Sequence, residues 1–232
     1  MNIVVVGPAG SGKSTFVRNF SEYLRDYDVK VVNLDPASDP IYSADRDVRD
    51  FVRTEDVIKS YRLGINGALM KSIDLTLNYI DKLIVKGDYV IFDTPGQMEL
   101  FLYSRSGLKI AEEISKYDWS VCLFIIDSEI ASTPENFASI VAQNAVISLR
   151  FSMPTITIFN KCDLIDLNLN EVFEGLRDVG GVFGEIVERL MALIDYTTLR
   201  FRIVKISALK EVGFDDVLSV INEVFCSCGD IS

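Results

Sequence analysis

The chain has 232 residues, 49% hydrophobic and 25% charged, enough apolar material for one α/β domain with an insertion and a sizeable buried core. With 34 acidic and 23 basic residues the net charge is −11, which disfavours a nucleic-acid groove or an anionic membrane surface as the main partner. Histidine is absent, so His-based triads and His-ligated zinc are excluded.

The first apolar run, Ile3–Val6, is too short for a secretory signal and leads straight into a glycine-rich loop. No stretch approaches the ~20 apolar residues of a membrane span. Cys122 and Cys162 lie far apart in sequence, which reads as a reduced, cytoplasmic protein. Cys226 and Cys228 make an incomplete soft-metal pair and are read as a tail beside the last helix.

Further apolar, β-branched runs follow at Val29–Leu34, Tyr89–Phe92, Trp119–Ile126, Thr155–Phe159 and Phe201–Ile206. Their unbroken hydrophobicity is that of strands covered on both faces. Between them lie helical patterns at Lys13–Asp26, Glu55–Tyr61, Ala68–Val85, Gln97–Lys116, Pro134–Arg150, Asn170–Tyr196 and Phe214–Phe225. The alternation predicts a doubly wound, mostly parallel α/β sheet of the P-loop NTPase type, with residues 164–199 as a helical insertion in a single domain spanning 1–232. Trp119, the one tryptophan, is expected to open a core strand as a packing residue. In such a sheet ligands bind beyond the carboxyl ends of the strands.

Just after the first strand stands Gly7-Pro-Ala-Gly10-Ser11-Gly12-Lys13-Ser14-Thr15, the strand–GxxxxGK[ST]–helix pattern in its required context. Glycines let backbone N–H groups curl around a phosphate, and the helix N-terminus adds its positive dipole end. Lys13 is placed for the β- and γ-phosphates and Ser14 for Mg²⁺. After the fifth apolar run comes Asn160-Lys161-Cys162-Asp163. A carboxylate at Asp163 can accept both guanine N1–H and its 2-amino group, whereas adenine would leave it unpaired at a cost of about 1–3 kcal/mol. Lys161 would lie over the base and Asn160 brace the loop. Ser207-Ala208, after the last strand, is where a second guanine-facing loop is expected. Asp93-Thr-Pro-Gly96-Gln97 ends the third run. There Asp93 would hold Mg²⁺ through water, and Gln97 would orient an attacking water.

These motifs, with Asn33-Leu-Asp35-Pro36-Ala37, Asp47-Val-Arg49, Gln97-Met-Glu99 and Cys226-Ser-Cys-Gly-Asp, resemble the GPN-loop GTPases, particularly archaeal members, over nearly the whole chain. The resemblance implies a homodimer with nucleotides near its interface, Mg²⁺, and hydrolysis of GTP to GDP. It also implies that Asp35 and Glu99 help Gln97 polarise the water. Where the family has Gly-Pro-Asn, this chain has Gly64-Ile65-Asn66. Asn66 would reach the partner subunit's phosphate site, on a loop that lacks proline's fixed φ and is looser by about 0.4–1 kcal/mol of unfolded-state entropy. Asn66-Gly67 is equally the dipeptide of an ordinary tight turn. No residue of Asp39–Thr54 is assignable to the metal from sequence.

The functional expectation is a dimeric switch acting on an unidentified client protein, possible roles including assembly of protein complexes. Two other classes stay open. A nucleotide or small-molecule kinase would need an arginine-rich lid, and the 164–199 region offers only Arg177 and Arg189. A GTP-stabilised scaffold would bind without significant turnover.

Overall fold

The apolar runs, with one short charged edge strand, pair into one sheet: β1 (Asn2–Val6), β2 (Val29–Asn33), β3 (Arg46–Asp47), β4 (Tyr89–Asp93), β5 (Ser120–Asp127), β6 (Thr155–Asn160) and β7 (Val204–Lys205). Their order is β3-β2-β4-β1-β5-β6-β7, with every pairing parallel. The structure is a computed structural model, and it describes residues 1–165, 167–168, 171–172, 174–175, 181–192 and 204–229.

Side chains alternate across the sheet, so each strand feeds two cores. Val4, Val6, Val32, Phe92, Phe124 and Ile126 point into one. Ile3, Val5, Val31, Ile91, Leu123 and Ile125 point into the other. The second face is covered by α1 (Lys13–Tyr23) and by the C-terminal helix (Phe214–Gly229) through Phe16, Phe20, Phe214 and Val217. The first is covered by α2 (Thr54–Tyr61), α3 (Ile65–Thr76), α4 (Ile80–Leu83), α5 (Met98–Tyr103), α6 (Arg105–Tyr117) and α7 (Pro134–Phe151). Residues Gly181–Ala192 form α8, which makes the C-terminal helix α9. Burial on both faces is why the strands read as continuous apolar runs.

Several boundaries differ from the sequence expectation, each for a local reason. The stretch expected as one helix over Gln97–Lys116 is two helices, because Ser104 turns extended and its hydroxyl accepts from the Gly107 N–H as the N-cap of α6. Gly107 also lies so close to the Phe101 carbonyl that any Cβ would collide with it. Ala68–Val85 likewise divides, through a 3₁₀ turn at Leu77–Tyr79. Just before it, Ser72 and Thr76 donate their hydroxyls back to the carbonyls of Ala68 and Ser72, a pattern that bends helices. The same helix begins three residues early, at Ile65, with extended Gly64 as its N-cap. Gly64–Gly67 is therefore the opening of α3 rather than a tight turn. The short edge strand β3 was not foreseen.

Trp119 corrects another expectation: it lies just ahead of β5, 59% exposed, edge-to-face against Phe225. Cys226 falls within α9 rather than beyond it and is exposed, while the Cys228 side chain lies outside what is described. Most of the expected 164–199 insertion and of the Phe201–Ile206 strand also lies outside the described residues. Within them, Gly181–Ala192 is helical and Val204–Lys205 is strand.

Candidate functional site

The register brings the loaded residues to one edge of the sheet. Val5 and Asn33 flank Asp93 at the end of β4, and Asp127 sits beside Asn160 at the ends of β5 and β6. The loop after β1, at the sheet's centre, emerges between these two groups.

That loop is shaped by its glycines. Gly10 and Gly12 take φ of 79° and 91°, which L-residues avoid. A Cβ on Gly7 would strike the Ile125 carbonyl, and one on Gly12 would strike the Asn160 amide. The loop is thus moulded against β5 and β6, and it delivers Gly12 as N-cap of α1. Lys13 is buried and lies across the loop, donating to the carbonyls of Gly7 (2.8 Å) and Pro8 (3.0 Å). Burial lowers its pKa, against the opposing charges of Asp93, Asp35 and Glu99. Those acids favour the charged ammonium and so oppose the effect of burial.

Beneath the lysine, Asp93 is buried and accepts at Oδ2 from the Ser14 hydroxyl (2.9 Å) and the Tyr42 hydroxyl (2.8 Å). Its Oδ1 is buried and has no hydrogen-bond partner among the described residues. Burial pushes the carboxyl up to about 6, against the hydrogen bonds from Tyr42 and Ser14 and the charge of Lys13. Tyr42 is itself pushed well above its ordinary range, first by burial and then by Asp93, and so serves as a donor. A serine hydroxyl beside an orphaned carboxylate oxygen is a hard-oxygen donor set suited to Mg²⁺, which takes one or two protein oxygens together with water and phosphate. Among the described residues no three Asp, Glu or Cys side chains converge into a site of their own. Ser14 and Asp93 therefore come together as the sequence predicts. Tyr42, from the Asp39–Thr54 stretch that gave no assignment, is the residue sequence reading missed.

Asp35 occupies the next position along the edge. Its Oδ1 accepts from the Ala37 N–H (2.9 Å) and its Oδ2 from the Gly96 N–H (3.4 Å), so it ties the end of β2 to the Asp93–Gln97 turn. Asn33 supports it from below, accepting from the Asp35 N–H and donating to the Asp47 carboxylate. Asp35, Gln97, Gly96, Ala9 and Ile65 line one cleft of about 250 Å³. Gln97, Glu99 and Asn66 are exposed. Asn66 does not line the cleft, although its neighbour Ile65 does.

On the other side, Asn160 is only 2% exposed and fully engaged. Its amide donates to the Ser11 carbonyl (2.8 Å), and its Oδ1 accepts from the N–H groups of Lys161 (2.8 Å) and Ala208 (2.9 Å). Lys161 takes a left-handed φ of 66°, rare outside glycine, and its ammonium pairs with Asp127 at 2.6 Å. Asp163 is held below its usual range chiefly by the Ser207 hydroxyl, with Lys210 at 3.5 Å adding its charge. Ser128, fully buried, donates its hydroxyl to the Asn160 carbonyl. Thus Asn160, Lys161, Asp163, Ser207 and Ala208 assemble against the Ser11 corner of the phosphate loop. Thr15, the remaining residue of that set, is half-buried in the first turn of α1.

Residues 5–227 match a family model described as a conserved hypothetical ATP-binding protein. The chain is 32% identical over 252 residues, all of both chains, to the GPN-loop GTPase PAB0955 of Pyrococcus abyssi. GPN-loop GTPase 1 of Schizosaccharomyces pombe is 28% identical, over 94% of this chain and 67% of the relative. The crystal structure of apo PAB0955 superposes with a TM-score of 0.77 over 98% of each chain. With this likeness running end to end, the chain belongs to the GPN-loop GTPase family.

Proposed function

We propose that the protein is a Mg²⁺-dependent enzyme that hydrolyses GTP to GDP and phosphate. The observation that carries this reading is Asn160. One side chain bonds the phosphate loop at Ser11 and both guanine-facing loops, at Lys161 and Ala208. A base held by Asp163 is thereby registered against phosphates held by Lys13, and the orientation is built in before substrate arrives.

Asp163 selects guanine by accepting from N1–H and the 2-amino group, with Ser207 fixing the carboxylate. Gly10, Ser11, Gly12, Ser14 and Thr15 offer backbone N–H groups to the phosphates, and Lys13 exchanges its two loop carbonyls for phosphoryl oxygens. Ser14 and Asp93 would hold the metal, which would supply positive charge to offset that of the phosphates. Asp35 and Gln97 border the cleft where water would approach the γ-phosphate in line, with Glu99 adding to the field. The transition state is stabilised by charge placed in advance rather than by covalent chemistry.

The protein acts as a homodimeric switch in this reading, and Asn66 contributes to the partner's site. Support comes from the apolar side chains around Asn66: Tyr61, Leu63, Ile65 and Met70 are all exposed. Large exposed apolar side chains gathered along one segment are what an interaction site offers. A client protein, a cytoplasmic location and a single nucleotide-binding domain with 164–199 inserted belong to the same reading.

The test is single-turnover phosphate release with GTP and with ATP, in the wild type and in Asp163→Ala. The wild type should release phosphate from GTP and bind GTP the more tightly. The variant should lose that preference by about 10–100-fold. Release from ATP as readily as from GTP, or an unchanged preference in the variant, would reject the guanine site. Transfer of phosphate to an added acceptor without free phosphate would favour a kinase.

A further inference from the structure

We propose that Tyr42 is a positioning residue for the metal site, holding the Asp93 carboxylate so that its Oδ1 is left for a metal-bound water. This rests on the Mg²⁺-dependent reading above.

The connection from β2 to β3 leaves the sheet at Asp35 and returns at Arg46. Within it, Tyr42 packs its ring against the core face that carries α1, and its hydroxyl reaches Asp93, 51 residues away in sequence, at 2.8 Å. An anchored aromatic ring with one buried hydroxyl is a rigid way to deliver a single hydrogen bond. Among the described residues, Asp93 Oδ2 accepts from two hydroxyls, those of Tyr42 and Ser14. Ser14 is also the metal's hydroxyl ligand in this reading, giving the metal an oxygen lone pair while its proton still donates to Asp93. Tyr42 is the second donor to Oδ2, the one that is not itself a metal ligand, and it fixes the carboxylate from outside the metal's own shell. Oδ1, buried and without a partner among the described residues, is the acceptor left over.

The same bond couples two parts of the site. Asp35, at the start of the connection, holds Gly96 two residues beyond Thr94, while Tyr42, near its end, holds Asp93 itself. The connection therefore grips the Asp93–Gln97 turn at two points, one on the water side and one on the metal side. Metal binding at Asp93 would tighten the segment that carries Asp35.

The test compares wild type, Tyr42→Phe, Asp93→Asn and the double variant by titrating MgCl₂ into protein holding a fluorescent N-methylanthraniloyl-GDP. The readout is the Mg²⁺ concentration at half effect, together with GDP affinity in EDTA. The phenylalanine keeps the ring and removes only the hydroxyl. Tyr42→Phe should match wild-type GDP affinity in EDTA yet need about tenfold more Mg²⁺, the weight of one hydrogen bond to a charged acceptor. In the Asp93→Asn background the same change should add nothing, because the two act through one contact. An unchanged Mg²⁺ midpoint in Tyr42→Phe would overturn the proposal, as would an equal loss of GDP affinity with and without Mg²⁺. A wild type with no Mg²⁺ response at all would reject the metal-dependent reading itself, and the proposal with it.

Discussion

The site has two sides built in different ways. On the base and phosphate side, Asn160, Lys161, Asp163 and Lys13 are all engaged by other groups of the chain, and Asn160 and Lys13 are buried. On the water side, Gln97, Glu99 and Asn66 are exposed, and Asp35 is bonded into place. The first arrangement suits groups that must be ready before the nucleotide arrives, since every bond made in advance is an entropy cost not met on binding. The second suits groups that act only once substrate, metal or a partner completes the cleft, where geometry in the free protein is looser than in the working complex. Recognition and turnover should therefore fail separately.

Variants can break or sharpen that contrast. The largest effect is expected at Lys13, which serves both sides. Lys13→Ala should lower phosphate release from GTP by on the order of 10²–10³-fold, the loss typical of a preorganised charge at a transition state. Turnover near wild type would remove the phosphate loop from the account.

Next comes Asp93, where burial sets a pH dependence. Its folded value of about 6 lies roughly two units above the ordinary 3.8, so the fold favours the protonated form. That contribution is fully present below pH ~4 and is lost as pH rises through about 6, at about 3 kcal/mol in all. Asp93→Asn stays neutral and should gain on the wild type by up to that amount between pH 4.5 and 8, in denaturant melts without nucleotide or metal. A stability difference that does not change with pH would contradict the burial argument. Excess Mg²⁺ and GDP should erase it, since they favour the ionised carboxylate.

The smallest effect is expected at Asp127. Its pair with Lys161 is partly exposed, and such pairs are worth about 0–1 kcal/mol. Asp127→Asn should weaken GTP binding by roughly 2–5-fold, with hydrolysis of bound GTP unchanged. A large loss would mean that the Lys161 backbone, held at φ 66°, depends on that pair for its shape.

Most of this was legible from sequence because the chemistry lies in contiguous motifs. Gly7–Thr15, Asp93–Gln97 and Asn160–Asp163 each follow a strand, and the parallel topology brings strand ends to one edge. Tyr42 was not legible, since no periodicity or spacing announces a contact between residues 51 positions apart. Nor was the role of Asn160 as a three-way brace, which depends on the Ser11 and Ala208 backbones meeting it in space. Ser104 illustrates a signal that was present and passed over: Ser104-Arg-Ser-Gly107 reads as an N-cap inside an otherwise unbroken helical pattern. Trp119 misled because an aromatic beside an apolar run looks like its first member, whereas here the strand begins one residue later, at Ser120.

The contrast between the two sides is tested most directly at Gln97. Asp35→Ala is less clean, because Asp35 also holds the Ala37 and Gly96 backbones. For Gln97→Leu, GTP affinity and single-turnover phosphate release should be measured on the same preparation. The expected result is an affinity within about threefold of wild type and release slower by on the order of 10²-fold, the usual weight of a residue that orients or deprotonates the nucleophile. Phosphate released at the wild-type rate would contradict the account.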